Sequence, residues 1–245
     1  MQAGSPPFVV RADAPLSGSV QLSGAKNSAL KLMAACLLAP GTFRLHNVPR
    51  IHDVQTMADL LASMGAVVTP EGQKSLRVDV PQQLTPEAPY ELVERMRASV
   101  VVMGPLLARC GMARVSLPGG DDFGHRPINW HLSGLAAMGA EIETQHGYVL
   151  ATAERLTGAR IVLEFPSHTT TDNLLMAAVR AEGTTIIENA AREPEVADLA
   201  AFLNRMGARI SGAGGSTIQV EGVAELSSVD HEVIPDRVEA ATFMA

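Results

Sequence analysis

The 245-residue sequence has few aromatic side chains, few cysteines and a deficit of basic charge. Aromatic residues make up 4% of the chain against 47% hydrophobic residues, which predicts a sizeable core built from Leu, Val, Ala and Met. The formal net charge of −7 disfavours non-specific binding of nucleic acid. It still permits a local basic pocket for a small anion.

The two cysteines, Cys36 and Cys110, lie in apolar helical runs and outside any CxxC or Cys/His cluster. This pattern indicates two buried free thiols in a reducing compartment, with the cytoplasm as the default. No signal peptide is evident, and no apolar stretch reaches the roughly 18 residues that span a bilayer. We expect no metal or organic cofactor. Six histidines lack metal-ligand spacing and are interpreted as turn or surface residues: His46, His52, His125, His131, His146 and His231.

The tripeptide Met-Gly-Ala occurs three times, at residues 64–66, 138–140 and 206–208. Each copy ends a run with helical apolar spacing and precedes a run with strand spacing. We expect each helix to end at the glycine, in the left-handed conformation. Asp53 is predicted to cap the first helix, and Pro127 and Pro194 fit the first turns of the other two.

A second helical run and a strand precede each of these helices, so that one unit reads strand, helix, strand, helix, strand, strand. Three such units predict an α/β fold in which the helices are buried around a shared core. A fourth unit begins at Val233 and stops in mid-helix at Ala245. The chain therefore looks like the first part of a longer protein.

Six motifs resemble those of the enolpyruvyl transferase family, and the resemblance runs from about residue 8 to the end of the chain. They are LSGAKNSAL (22–30), MRAS (96–99), LPGG (117–120), GHRP (124–127), EGTTIIENAAREP (182–194) and PDR (235–237). The stretches 26–27 and 190–194 resemble most the branch of the family that acts on UDP-N-acetylglucosamine.

The resemblance implies an inverse α/β prism of three repeats with buried central helices, the EPSP synthase-like fold, followed by a truncated second domain. It also implies a monomer when the protein is complete. The implied boundaries are 1–21 for an N-terminal strand that belongs with the second domain, 22–230 for the first domain (repeats at about 22–90, 91–157 and 158–230), and 231–245 for the start of the second domain.

The family moves the enolpyruvyl group of phosphoenolpyruvate to the 3-hydroxyl of the sugar and releases phosphate, in the first committed step of peptidoglycan precursor synthesis. By resemblance, Lys26 and Asn27 bind phosphoenolpyruvate at a helix start, where a lysine and the helix dipole favour an anion. Arg97 and Arg126 match arginines that contact the substrates. Without the family, a lysine at a helix start is more often solvated, and either arginine could be a surface residue.

The mobile loop of the family carries the proton donor, usually a cysteine, and here that position is Asp121. A free aspartate has a pKa near 3.9, so a role as acid requires desolvation or a neighbouring negative charge such as Asp122. The alternative is a solvated loop carboxylate. Fosfomycin alkylates the loop cysteine, so the substitution predicts resistance. The predicted catalytic set is Lys26, Asp121 and Arg126.

Two stretches that match the nucleotide-sugar pocket depart from the family pattern. Asn129 replaces an aspartate, Trp130 a leucine, Phe165 a lysine, and His168 a small apolar residue. These changes leave two alternatives open: a non-catalytic paralogue that binds a nucleotide sugar, or the same transfer to a different sugar nucleotide. The substrate contacts implied by the resemblance are Lys26, Asn27, Arg97, Arg126, Pro127, Ile128, Asn129, Trp130, Phe165, Pro166, Ser167 and His168.

Overall fold

Three four-stranded sheets surround a set of buried helices in a computed structural model of the protein, which describes residues 17–117 and 128–245. Each sheet has the same order: a short edge strand runs parallel to its neighbour, and two antiparallel strands follow. The α/β prism of three repeats that the sequence predicts is therefore confirmed. The helices and strands are numbered below in chain order.

The first unit contains two helices and three strands of its own. They are α1 (Lys26–Ala35), which continues as a 3₁₀ turn over Cys36–Leu38, then β1 (Gly41–His46), α2 (His52–Ser63), β2 (Val67–Glu71) and β3 (Ser75–Val80).

The second unit begins with a two-residue edge strand and a single helical turn. Its elements are β4 (Glu87–Ala88), α3 (Tyr90–Val93), a 3₁₀ helix over Arg97–Val102, α4 (Met103–Cys110), β5 (Met112–Ser116), α5 (Asn129–Ala137), β6 (Glu141–Gln145) and β7 (Tyr148–Thr152).

The third unit repeats the pattern and is followed by one more strand and helix. These elements are β8 (Arg160–Val162), α6 (His168–Ala178), β9 (Thr184–Glu188), α7 (Pro194–Arg205), β10 (Arg209–Ser211), β11 (Thr217–Glu221), β12 (Asp230–Glu232) and α8 (Arg237–Met244).

Strand β12 supplies the parallel edge of the first sheet, where β4 and β8 fill the same place in the other two. Arg44 of β1 lies opposite Asp230, and His46 lies opposite Glu232. The first unit is therefore completed by residues from the far end of the described chain. This strand crosses the domain boundary predicted at residue 230, and the division itself stays a prediction.

The central helices are buried on all sides, as helices that carry apolar residues around their whole circumference must be. Every residue of 28–35 in α1 and of 170–178 in α6 is buried. Gly104 lets α4 approach α6 closely: a Cβ atom at this position would lie 2.3 Å from the carbonyl oxygen of Asn173. The shared core therefore depends on backbone contact as well as on side-chain packing.

The helix ends follow the sequence pattern with one correction. The glycine of each Met-Gly-Ala tripeptide has a positive φ, 101°, 91° and 111° in chain order, as predicted. Pro194 begins α7, also as predicted. Asp53 does not cap α2, because the helix begins at His52. Asp53 lies in the first turn, where the helix dipole stabilises its carboxylate. Pro127 lies outside the described residues.

Three of the burial predictions were wrong. Cys36 is buried, but Cys110 is exposed at the end of α4. His131 and His231, predicted as turn or surface residues, are buried, because α5 packs against α6 and β12 packs against α7 through these side chains. His131 Nδ1 lies 3.0 Å from the amide nitrogen of Asn173.

Candidate functional site

The three central helices begin at one end of the domain, where many of the predicted site residues lie. The 3₁₀ helix that starts at Arg97 packs against both α1 and α6. Lys31 of α1 also contacts His168, the first residue of α6. The second turn of α1, the 3₁₀ helix and the start of α6 thus lie against one another.

Lys26 opens α1 with a carboxylate partner already in place. Its ammonium group forms an ion pair with Asp53, although the lysine side chain is 48% exposed. The backbone N–H of Lys26 donates to Oδ2 of Asp236 at 3.1 Å, and Asn27 follows as a half-buried residue. An anionic ligand at this helix start would therefore compete with Asp53 for the ammonium group.

Asp236 joins the starts of two helices with one side chain. While Oδ2 accepts from Lys26, Oδ1 accepts from the backbone N–H groups of Val238 and Glu239 at 2.7 and 3.2 Å and caps α8. A carboxylate between two helix N-termini is favoured by both dipoles. Asp236 thus fixes the segment before α8 against the start of α1.

Two further carboxylates hold α8 in place. Glu195 of α7 is buried and accepts from Nε of Arg237 at 3.0 and 3.2 Å. Glu239 accepts from both the backbone N–H and the hydroxyl of Ser23 at 2.7 Å. The PDR motif at 235–237 therefore has a structural role that its sequence alone does not reveal.

The start of α6 is fixed by side chains that satisfy its first turn. Ser167 caps the helix, and its hydroxyl accepts from the backbone N–H of Thr170 at 3.3 Å. The hydroxyl of Thr171 donates to the carbonyl of Ser167 at 2.9 Å and accepts from the backbone N–H of Ala191 at 3.1 Å. The predicted nucleotide contact at Ser167 is consequently held in a defined position.

Trp130 and Phe165 form an aromatic pair beside the start of α6. Their ring centroids are 5.8 Å apart with 20° between the planes, and Phe165 is 58% exposed. Nε1 of Trp130 donates to Oε2 of Glu164 at 3.3 Å. The pair presents an apolar, planar face on which another flat ring could stack, with a carboxylate at its edge.

A buried ion pair lies behind the first turn of α6. The ammonium group of Lys31 is 3.4 Å from Oδ2 of Asp172 and 3.2 Å from Nδ1 of His168. The side chains of Lys31 and Asp172 are 3% and 1% exposed, whereas that of His168 is 37% exposed. The imidazole therefore connects a buried cation to the surface at the candidate site.

The remaining predicted site residues either adjoin the aromatic pair in sequence or lie outside the described residues. Ile128 is buried, Asn129 and Pro166 are exposed, and the side chain of Arg97 lies outside what the structure describes. The loop residues predicted to act in catalysis and binding also lie outside the described residues: Asp121, Arg126 and Pro127.

Sequence reasoning missed the polar residues that support the site from inside. Lys31 and Asp172 lie in runs that read as apolar helix, and Asp236 was found only as part of a motif. The spacing of Asn27 and Lys31, four residues apart on α1, places both on one helix face. That spacing was the one signal that could have linked Lys31 to the site.

Three described groups whose pKa values are shifted are the two thiols and Asp79. Desolvation raises the pKa of the Cys36 thiol and, against the opposing effect of Arg109, that of Cys110. A hydrogen bond from the Thr42 hydroxyl, at 2.6 Å, is the main cause of the lowered pKa of Asp79. Neither thiol has the lowered pKa that marks a reactive cysteine.

Among residues 17–117 and 128–245, no cluster of three or more His, Cys, Asp or Glu side chains could hold a metal ion. None of the helices in the same ranges is both long enough and apolar enough to cross a bilayer.

Comparison with known proteins places the chain among the enolpyruvyl transferases. The family model for EPSP synthase (3-phosphoshikimate 1-carboxyvinyltransferase) matches residues 10–245. UDP-N-acetylglucosamine 1-carboxyvinyltransferase 2 of Carboxydothermus hydrogenoformans is 55% identical over 97% of this chain and 56% of its own length. UDP-N-acetylglucosamine 1-carboxyvinyltransferase of Hydrogenovibrio crunogenus is 53% identical over 97% and 57%. The chain thus spans about half the length of these relatives.

Solved structures show the same fold. The enolpyruvyl transferase NikO from Streptomyces tendae is 27% identical with a TM-score of 0.81, covering 94% of this chain and 54% of its own. EPSP synthase from Acinetobacter baumannii is 22% identical with a TM-score of 0.73, covering 93% and 52%. The second likeness concerns the fold alone.

Proposed function

Because the chain belongs to the EPSP synthase (3-phosphoshikimate 1-carboxyvinyltransferase) family, we propose that it is part of an enzyme that transfers an enolpyruvyl group to UDP-N-acetylglucosamine. Two observations support this choice of acceptor. Two relatives named for that reaction are 55% and 53% identical to the chain. The described half of the site also pairs a lysine at one helix start with a capped second helix start beside an aromatic face.

The reaction needs an acid, a base and cations. The 3-hydroxyl of the sugar loses its proton and attacks C2 of phosphoenolpyruvate while the methylene carbon gains a proton. A proton then leaves the new methyl group, the bond between C2 and the phosphate oxygen breaks, and inorganic phosphate departs. In this proposal Asp121 delivers the first proton, and Lys26 and Arg126 hold the phosphoryl and carboxylate groups with Asn27 and Arg97.

The nucleotide sugar would bind between the starts of α5 and α6. The contacts proposed from the stretch that leads into α5 are Pro127, Ile128, Asn129 and Trp130, and those before and on α6 are Phe165, Pro166, Ser167 and His168. The stacked pair Trp130 and Phe165 supports this placement, since an aromatic face can hold the flat uracil ring. The observation that carries the proposal is the contact between Lys31, in the second turn of α1, and His168, the first residue of α6.

The second candidate function is the same transfer to a different sugar nucleotide. The third is that of a paralogue that binds a nucleotide sugar without catalysis. Both rest on Asn129, Trp130, Phe165 and His168, which depart from the family pattern at the nucleotide pocket. The carboxylate of Glu164 beside Trp130 adds a negative charge at the edge of that pocket. Such a charge would alter the preference among nucleotide sugars.

We also propose that the complete protein is a cytoplasmic monomer that uses no cofactor, with the domain division at 1–21, 22–230 and 231–245. Residues 1–245 alone are expected to be inactive, because the family's base for the sugar hydroxyl and further arginines belong to the second domain. Measured turnover by residues 1–245 would contradict this division of the site. Size-exclusion chromatography with light scattering tests the oligomeric state.

The decisive experiment is a phosphate-release assay on the full-length protein. Phosphoenolpyruvate with UDP-N-acetylglucosamine should release phosphate and form the enolpyruvyl product seen by mass spectrometry. Other UDP-sugars assayed in parallel distinguish the second candidate. Binding of a nucleotide sugar with no phosphate release from any of them would favour the non-catalytic paralogue.

A further inference from the structure

Lys31 is a cation in an interior position. It lies in the second turn of α1, its side chain is 3% exposed, and every neighbour from 28 to 35 is buried. A buried ammonium group is costly unless charge and hydrogen bonds compensate it. Two partners contact the ammonium group, Asp172 at 3.4 Å and His168 at 3.2 Å. The lysine therefore links the first central helix to the start of the third.

The contact between Lys31 and His168 determines where the imidazole holds its proton. An ammonium group only donates hydrogen bonds, so the ring nitrogen that faces it must accept. That nitrogen is Nδ1, and a neutral imidazole with an accepting Nδ1 has its proton on Nε2. Lys31 thus selects the tautomer in which Nε2–H is the donor.

Asp172 keeps the lysine in this position. Its carboxylate is 1% exposed, and its oxygens have no hydrogen bond among the described residues, so the ion pair with Lys31 is its compensation. Asp172 Oδ2 also lies 3.8 Å from Nδ1 of His168. Since the carboxylate offers no donor, it cannot replace the ammonium group at Nδ1, and the tautomer depends on Lys31.

The opposite edge of the imidazole is the part that a ligand can contact. The side chain of His168 is 37% exposed, and its Nε2 has no hydrogen-bond partner among the described residues. His168 is also the first residue of α6, where the first backbone N–H groups of a helix lack intrahelical acceptors. A donor edge at a positive helix end, with a buried cation behind it, suits an anionic oxygen.

We propose that His168 binds a phosphoryl oxygen of the nucleotide sugar through Nε2–H, and that Lys31 is a positioning residue that fixes this tautomer. This inference rests on the proposed function and assigns a chemical role to one of its contacts. The aromatic face of Trp130 and Phe165, which lies beside the start of α6, favours the nucleotide over phosphoenolpyruvate as the source of that oxygen.

The tautomer can be measured without any substrate. Nitrogen NMR of the imidazole side chains in the full-length protein should show His168 with an unprotonated Nδ1 and a protonated Nε2, its signal identified by its loss in His168→Gln. In the double variant Lys31→Met/Asp172→Leu, which removes both buried charges and leaves no donor facing Nδ1, the two tautomers should mix. A protonated Nδ1 in the unaltered protein would overturn the inference.

The contact itself is tested by binding and by steady-state kinetics. His168→Phe should weaken UDP binding and raise the KM for the nucleotide sugar by about tenfold to a hundredfold, the range for a hydrogen bond to a charged group. His168→Gln places an amide N–H near the position of Nε2 and should recover most of that loss. The double variant should show a smaller loss, about threefold. His146→Gln, in an exposed turn, is the matched control.

The pattern of outcomes separates the inference from the function on which it rests. If the unaltered protein binds UDP but releases no phosphate, the transferase proposal fails while the His168 contact remains measurable by calorimetry. Equal affinities in the unaltered protein and His168→Phe would overturn the contact. So would a rise in the KM for phosphoenolpyruvate alone, because the phosphoryl oxygen would then belong to the other substrate.

Discussion

Asp198 accepts a hydrogen bond from Nε2 of His231 at 2.8 Å, and both side chains are buried. The second carboxylate oxygen of Asp198 accepts from the hydroxyl of Ser28, which is also buried. The three residues come from α7, β12 and α1, so one carboxylate joins the first helix of the domain to its last strand. A buried carboxylate with both oxygens hydrogen-bonded in this way favours a particular packing arrangement.

Replacing the shared acceptor should destabilise the domain. Asp198→Ala leaves the donors of His231 and Ser28 without an acceptor, and we expect the free energy of unfolding to fall by about 3 kcal/mol. Urea denaturation followed by circular dichroism measures it. Asp59→Ala, on the exposed face of α2, is the control and should change stability by no more than about 0.5 kcal/mol. Similar losses in the two variants would mean that the buried network adds little.

The close approach of α4 and α6 predicts a difference between two glycines. A Cβ atom at Gly104 would meet the backbone and side-chain oxygens of Asn173 at 2.3 and 2.6 Å, whereas at Gly134 it would meet the methyl groups of Leu174 at 2.6 and 2.8 Å. A leucine end can rotate away but a backbone carbonyl cannot. Gly104→Ala should therefore cost about 3 kcal/mol or more, and Gly134→Ala about 1 kcal/mol. Thermal unfolding of both variants under one condition measures the difference, and a reversed order would contradict the packing described.

Asp79 provides a pH-dependent test. Its pKa is lowered mainly by the hydrogen bond from Thr42, with smaller effects from Arg77 and Arg44. A lowered pKa in the folded state contributes stability above the unfolded value, near 3.9, and this contribution is lost as pH falls through the folded value. Thr42→Val should raise the pKa of Asp79 in an NMR titration. The stability difference between the two proteins should be present at pH 7 and shrink below about pH 4. A difference that persists at low pH would indicate lost packing at position 42 instead.

The aspartate at position 121 leads to a prediction about inhibition. Fosfomycin needs a thiolate nucleophile, and a carboxylate is a much weaker one. If the full-length protein is the proposed transferase, it should be active and show no time-dependent inactivation by fosfomycin. Asp121→Cys should create time-dependent inactivation and a covalent adduct visible by mass spectrometry. Asp122→Cys is the control for a thiol that is merely nearby. Inactivation of the unaltered protein would refute the assignment of Asp121.

Much of the fold could be predicted from the sequence because its units are local. The change of apolar period after each Met-Gly-Ala tripeptide reports helix and strand within a dozen residues, and Gly65, Gly139 and Gly207 mark helix ends by their left-handed conformation. Strand β12 could be placed in no sheet on this basis. Its partner β1 lies far away in the chain, and pairing of distant strands leaves no periodic signal.

The interior of the candidate site was the harder part to predict. A lysine or an aspartate within a helical run normally indicates a solvated face, so Lys31 and Asp172 gave no hint that they lie opposite each other. The same holds for His131 and His231, whose burial follows from the helices and strands that pack over them. Single residues of this kind acquire their environment from the tertiary fold.

The position of β12 also bears on how the chain reaches its fold during synthesis. The side-chain amide of Asn47 donates to the carbonyl oxygen of Val233, which is 186 positions away. Until residues 230–232 leave the ribosome, one edge of β1 has unpaired backbone groups, and contacts between such distant residues form slowly. Asp236, which caps α1 at Lys26, emerges with the same segment. The first sheet and the start of the first helix are thus finished together by one stretch of chain, once that stretch has been synthesised.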